Sequence, residues 1–244
     1  MKSRNFNDRK LPITMVVLHY TGMETADCAR ERLCDPQAEV SAHWLVTEAG
    51  EVESLVDEDK RAWHAGVGSW NGISDVNSAS IGIEIVNGGH NVLTADGKLP
   101  AYPDVQILAV IKLCKEIVAR HNIRPANIVG HSDIAPDRKE DPGEHFPWAG
   151  LAAAGIGHWP SDLTEDERIV FEAGDRDRGI SIIQRGLADL GYGVSVTGCL
   201  DDQTQAVIRA VQRRYRPGKI NGVIDMQILD VLKRLSLLAR AVAA

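Results

Sequence analysis

The most constraining feature of this chain is a pair of apolar stretches that each run into a histidine. Ile13-Thr-Met-Val-Val-Leu ends at His19, and Asn127-Ile-Val-Gly ends at His131. The first is apolar at successive positions, so the strand it predicts is buried on both faces, as in the middle of a sheet. After His131 the chain continues to Lys139-Glu-Asp141-Pro-Gly143, which sets a carboxylate ten residues on, at the mouth of an Asp-Pro-Gly turn. Two imidazoles and one carboxylate meeting at strand ends give three ligands to a single zinc ion and leave a fourth position open. That pattern belongs to a hydrolytic site and not a structural one.

Around these runs the pattern alternates between strand and helix. Thr25–Cys34 predicts a short helix closed by Asp35-Pro36, and Ser41–Thr47 with Glu51–Val56 predicts a hairpin around Glu48-Ala-Gly50. Ser80–Val86 predicts a further strand. Val105–His121 predicts a helix with Val105, Leu108, Ala109, Ile111, Leu113 and Val118 mostly on one side and Asp104 as its cap. Residues 1–160 are therefore expected to form an α/β catalytic domain, a mixed central β-sheet flanked by helices.

Residues 161–178 are heavily charged and are expected to be a linker. Beyond them, Ile180–Leu190, Gln203–Tyr215 and Ile224–Leu238 predict a small three-helix domain over residues 179–244. No candidate site residue lies in this tail. Its removal is expected to leave the first domain folded and metal-loaded.

A net charge of −7 and a pI of about 5.6 argue against a nucleic-acid partner. No apolar run reaches the length of a transmembrane segment. Met1–Lys10 is basic in part but has no apolar stretch behind it, so no secretory signal is expected, although a processed protein would read the same. Cys28, Cys34, Cys114 and Cys199 show no C-x-x-C spacing and read as free thiols of a reducing compartment. The expected location is the cytoplasm, with the periplasm or envelope as the alternative.

Two further residues carry chemistry. Glu84 lies in Ser80-Ile-Gly-Ile-Glu-Ile-Val86, where Ile81, Ile83 and Ile85 share one face and Gly82, Glu84 and Val86 the other. A carboxylate there costs free energy unless it is partnered or the strand lies at an edge. It suits a general base, with Gly82 leaving room for substrate. Lys139, beside Arg138 and between two expected ligands, suits a cation that stabilises an oxyanion. His43, Trp44, Trp63, His64, Asn87 and Arg138 are candidates for a sugar–peptide groove, although core packing accounts for the tryptophans equally well. His90, His121, His145 and His158 read as structural or surface residues.

Val17-Leu-His-Tyr20, Ser41-Ala-His-Trp44, Ala62-Trp-His-Ala-Gly66, Ile81-Gly-Ile-Glu84 and Gly130-His131 through Lys139-Glu-Asp-Pro-Gly143 together resemble the amidase-2 family. These are zinc N-acetylmuramoyl-L-alanine amidases related to peptidoglycan recognition proteins. Phe146-Pro-Trp148 and Trp159-Pro160 look like its AmiD-like branch, and the resemblance covers roughly residues 11–160. It implies zinc on His19, His131 and Asp141, catalytic roles for Glu84 and Lys139, and a muropeptide or peptidoglycan substrate cut between N-acetylmuramic acid and L-alanine. The tail is similar to three-helix peptidoglycan-binding domains through Ile183-Gln-Arg-Gly-Leu187, Leu190-Gly-Tyr192, Thr204-Gln-Ala-Val207 and Asn221-Gly222. The expected setting is cell-wall recycling. The alternatives are a wall-remodelling amidase, a non-catalytic muropeptide receptor on the same fold, and a zinc peptidase of the stem peptide.

Overall fold

Met15, Val16, Val17 and Leu18 are all fully buried, which only an interior strand with both faces covered allows. A computed structural model describes residues 2–241 of the chain. Its main sheet runs in the order β4 (Val52–Ser54), β3 (Trp44–Val46), β6 (Ser80–Ile85), β2 (Met15–Tyr20) and β7 (Ile128–Gly130). β4 pairs antiparallel with β3, while β3, β6, β2 and β7 pair in parallel. The mixed sheet is the one expected, and the hairpin forms with shorter strands. An antiparallel ribbon of β1 (Phe6–Asp8) and β5 (Lys60–Ala62) accompanies it.

Strand alternation sorts side chains to two faces. Val16, Leu18, Ile81, Ile83 and Ile85 pack against Val110, Leu113, Cys114 and Ile117 of helix α3 (Asp104–His121), which connects β6 to β7. Burying each such aliphatic side chain contributes about 1.5–3 kcal/mol. The expected apolar stripe of α3 holds in part: Leu113 is buried and Ala109, Ile111 and Val118 pack against this cluster, but Val105 and Leu108 are exposed while Gln106, Val110 and Cys114 face inward. The helix carries more apolar residues than it buries, so periodicity alone drew an arc that includes two exposed residues and misses three that face inward. Its N-cap is Pro103, with no side-chain cap. Asp104 is the first helical residue, where its charge suits the helix dipole instead. Two short helices precede α3 in the chain: α1 (Ala26–Cys34), capped by Thr25, and α2 (Val76–Ala79), capped by Asp75.

The opposite face of the sheet carries Met15 and Val17 into a second cluster that also contains Ile180, Leu187, Val207, Val211 and Val231 of the tail. The tail helices are α6 (Arg178–Asp189), α7 (Asp202–Tyr215) and α8 (Met226–Ala241), preceded in the chain by short α4 (His131–Ile134) and α5 (Trp148–Ala153). The third tail helix starts later than expected because Ile224–Asp225 form a strand, β9, paired with β8 (Ile169–Phe171). The segment expected as a linker is thereby built into the tail, and the Met226 amide donates to Arg168 O at 3.0 Å. Trp70 meets Tyr192 edge to face at 4.9 Å between ring centroids. A shared apolar cluster does not describe a loosely tethered module.

Candidate metal centre and active-site cleft

The parallel strands deliver their carboxyl ends to one edge of the sheet, where ligand sites of such sheets form. His19 is near the end of β2, Glu84 near the end of β6, and His131 follows β7 as the first residue of α4. Asp141 returns on the loop after α4, and the Ser132 amide donates to Asp141 O at 2.9 Å. Gly130 makes this approach possible, because a Cβ there would stand 2.8 Å from Pro142 Cδ.

His19 Nδ1 lies 2.9 Å from His131 Nδ1 and 3.0 Å from Asp141 Oδ2, and His131 Nδ1 lies 2.9 Å from the same oxygen. All three residues are buried. The remaining ring nitrogens settle which atoms carry protons. His131 Nε2 stands 3.0 Å from Ala65 O, which can only accept, so Nε2 bears the hydrogen and Nδ1 presents a lone pair. His19 Nε2 donates to His64 Nδ1 at 3.0 Å, and His64 Nε2 donates to Ser80 Oγ at 3.2 Å. Ser80 Oγ in turn donates to Val76 O at 2.6 Å. Two lone pairs and a carboxylate oxygen thus converge with no proton between them. They repel one another unless a cation sits among them, and the backing hydrogen bonds are those that orient metal-bound imidazoles.

The electrostatics agree. Burial, and then the neighbouring His131, lower the His19 pKa to about 4, against the opposing pull of Asp141. Burial works to raise Asp141, but the two imidazoles outweigh it and hold the carboxyl below its ordinary range. Glu84 is pushed well above the usual carboxylate range by burial and then by Asp141, with Lys139 opposing. Its Oε2 is buried with no hydrogen-bond partner.

His19, His131, Asp141, Glu84, Lys139, Trp63, His64 and Arg138 line one open cleft. Arg138 is tied to the cleft rim, its Nη2 donating to Ala65 O at 2.6 Å and its Nε to Val67 O at 2.8 Å. Trp63 Nε1 donates to Asn7 Oδ1 at 3.2 Å. His64 stands behind His19, and its ring fills the space beside Gly82 that was expected for substrate. A Cβ on Gly82 would lie 2.4 Å from His64 Cγ.

Three expected groove residues lie elsewhere. His43 is fully buried beneath the cleft, where its Nδ1 accepts from the Gly82 amide at 2.9 Å. Trp44 is in register with Ile83, so it points to the α3 face and donates to Glu58 Oε1 at 2.9 Å. Asn87 is buried and holds its own loop, donating to Pro100 O at 2.9 Å and accepting from the Gly89 amide at 2.8 Å. Conversely His90, read from the sequence as structural or surface, and Arg32, not picked out there, line the cleft. Nothing in their local patterns marks them, since each arrives from a loop or helix whose placement depends on the whole fold.

Comparison with known proteins extends this picture. Residues 9–144 match the model of the Amidase_2 family, described as N-acetylmuramoyl-L-alanine amidase, and residues 176–232 match that of a peptidoglycan binding domain. The N-acetylmuramoyl-L-alanine amidase AmiD of Escherichia coli strain K12 is 36% identical over 233 residues, covering 91% of this chain and 82% of that protein. The structure of E. coli AmiD in complex with the substrate anhydro-N-acetylmuramic acid-L-Ala-D-gamma-Glu-L-Lys superposes with a TM-score of 0.76 at 34% identity, covering 91% of this chain and 88% of the other. AmpDh3 from Pseudomonas aeruginosa in complex with anhydromuramic pentapeptide gives a TM-score of 0.74 at 30% identity, covering 93% and 92%. With the cluster of His19, His131 and Asp141, the sheet and the sequence match all falling within the same part of the chain, the chain belongs to the amidase-2 family of N-acetylmuramoyl-L-alanine amidases.

Proposed function

We propose that the cleft hydrolyses the amide bond between N-acetylmuramic acid, or its 1,6-anhydro form, and L-alanine of a peptidoglycan stem peptide, with one zinc ion held by His19, His131 and Asp141. The observation that carries this reading is the convergence of two imidazole lone pairs and one carboxylate oxygen beside an unpartnered carboxylate, Glu84. Two nitrogens and one oxygen suit zinc in a catalytic setting. When bound, zinc supplies Lewis-acid polarisation of a carbonyl and makes water acidic enough to ionise near neutral pH.

The chain's own residues supply the rest. Glu84 accepts a proton from the attacking water and delivers it to the departing L-alanine nitrogen. Its raised pKa suits both halves of that transfer. Lys139 places an ammonium at the cleft to stabilise the carbonyl oxygen as it gains charge. Trp63 and Arg138 line the walls along which sugar and peptide lie. The complexes of AmiD and AmpDh3 with anhydromuramic peptides support a soluble anhydro-muropeptide as substrate, and hence a role in wall recycling.

The four free cysteines suit a reducing compartment, which supports a cytoplasmic setting. Among the described residues no helix is long and apolar enough to cross a membrane. A second reading, a wall-remodelling amidase of the envelope, is favoured by the tail's match to a peptidoglycan binding domain. Digestion of anhydro-muropeptides and of intact sacculi, with mass spectrometry of the new termini, tests both. Free anhydro-N-acetylmuramic acid and a peptide beginning with L-alanine are expected, with soluble substrate preferred. Cleavage inside the stem peptide, or no cleavage, would overturn the reading. Preference for sacculi together with recovery of the protein from the envelope would establish the second.

A further inference from the structure

α7 meets the loop that carries two of the three expected ligands through consecutive arginines. Arg214 Nη1 donates to Asp133 Oδ2 at 2.7 Å, and Arg214 Nη2 donates to Ile128 O at 3.0 Å. Tyr192, just after α6, donates its hydroxyl to Asp133 Oδ1 at 2.9 Å. Asp133 sits two residues after His131 in α4, and its Oδ2 also accepts the Gly130 amide at 2.8 Å. Arg214 is 6% exposed and Asp133 1%, so this ion pair is made inside the protein. The Arg214 guanidinium lies 3.9 Å over the Trp148 ring, which holds it from the other side. Arg213 reaches Glu140 Oε1 at 3.0 Å, one residue before Asp141.

We infer that Arg214 and Tyr192 are positioning residues for the metal centre, acting through Asp133, so that the tail completes the ligand loop as well as any wall-binding surface it carries. The physical reason is the shortness of α4. A four-residue turn cannot fix the angle at which His131 leaves the sheet. Asp133 closes that turn on the Gly130 amide, and two donors from the tail hold the carboxylate where it does so. Arg214 clamps both ends of the junction at once, the last strand through Ile128 O and the turn through Asp133. Since Ser132 also binds the backbone of Asp141, a tilt of the turn moves two ligands together. A buried carboxylate left without its arginine would have to draw in water or reorient, and either would disturb the same junction.

This inference rests on His19, His131 and Asp141 being metal ligands, and its test has a readout that does not. In the full-length protein, Arg214→Ala, Arg214→Lys and Tyr192→Phe are compared with Gln184→Ala, which breaks a buried network inside the tail with Thr197, Cys199 and Thr204. Zinc affinity is read by chelator competition, thermal midpoint by unfolding, and amide exchange over 130–143 in metal-free protein. Arg214→Ala is expected to weaken zinc binding about 10- to 100-fold and to speed exchange in that loop, the range found when a partner behind a ligand is lost. Arg214→Lys should recover part of this, because an ammonium reaches one acceptor and not two. Tyr192→Phe removes a single donor and is expected to weaken zinc several-fold with a near-native midpoint, which decides the matter if Arg214→Ala does not fold. Gln184→Ala should lower the midpoint alone. Zinc affinity and loop exchange unchanged in Tyr192→Phe, or Arg214→Ala indistinguishable from Gln184→Ala, would overturn the inference. If wild-type protein binds no zinc, the functional reading falls, while loop exchange still decides whether the tail orders the turn.

Discussion

Glu84 stands opposite His19 in the parallel pairing of β2 and β6, so the expected base and an expected ligand project from one level of the sheet. Neighbouring parallel strands at the same level point their side chains to the same face. This ladder fixes the spacing of the two groups without help from any loop. Glu84→Ala is therefore expected to keep zinc and lose activity, because the sheet is untouched and only the proposed proton carrier goes. The loss in kcat should be about 10²- to 10⁴-fold. Metal content by atomic absorption and kcat on a soluble muropeptide check it; a change confined to KM would assign Glu84 to binding.

Lys139 is anchored by its own backbone, its amide donating to Ala135 O at 3.0 Å, so truncating the side chain leaves the loop in place. Lys139→Ala should retain zinc and lose about 10²- to 10³-fold in kcat, the usual consequence of removing an oxyanion partner. A steady-state comparison at saturating substrate measures it. Activity close to wild type would remove Lys139 from the chemistry.

Chelation should abolish turnover, and added zinc should restore it, if His19, His131 and Asp141 hold the ion as proposed. Asp141→Ala should lose metal and activity together, and zinc in excess should restore neither fully. Full turnover by metal-free protein would contradict the ligand assignment.

Much of this centre was legible because its residues end strongly patterned elements. His19 closes an apolar run, and His131 and Asp141 bracket a turn that Pro142 and Gly143 announce. His43 and Trp44 misled for a definable reason. They are neighbours at the start of a three-residue strand, too short for alternation to reveal which of them faces the cleft. Pairing settles it, with Trp44 beside Ile83 and His43 against Gly82. The role of Gly82 was reversed, since the space it leaves belongs to a histidine from a distant loop. The docking of the tail was illegible for a different reason. Arg214 and Asp133 are 81 residues apart, and one arginine in a basic helix carries no local mark of a buried partner.

Gly82→Ala tests the ring behind His19. A methyl group there would lie 2.4 Å from His64 Cγ, inside any tolerable contact, and the ring is pinned between His19 and Ser80. The ring must shift, and His19 loses the acceptor that fixes its tautomer. Zinc affinity is expected to fall about 10- to 100-fold, with overpacking costing about 1–3 kcal/mol of stability. Chelator competition and urea unfolding separate the two effects. Unchanged zinc affinity would show that His64 does not orient His19.

His43 should make the protein sensitive to acid. Burial first, and then the Arg9 guanidinium 2.7 Å from Nε2, lower its pKa from 6.5 to about 3. The Gly82 amide donates to Nδ1, so a proton arriving there would face another N–H. The folded state therefore keeps His43 neutral over a range in which the unfolded chain takes up a proton. Below pH 6.5 the unfolded state binds more protons, so stability falls as pH falls, and the loss continues until the folded pKa is reached near 3. One such group contributes about 1.4 kcal/mol per pH unit within that window, or about 2 kcal/mol between neutrality and pH 5. His43→Gln cannot take up this proton. Urea unfolding of the metal-free wild type and variant at pH 7.5 and pH 5 gives the comparison, because the other buried histidines contribute equally to both proteins. The variant is expected to start less stable and to lose about 2 kcal/mol less on acidification. Equal losses in the two proteins would show that His43 takes up its proton over the same range in the folded and unfolded states, so that its ring is not held as the Gly82 contact requires.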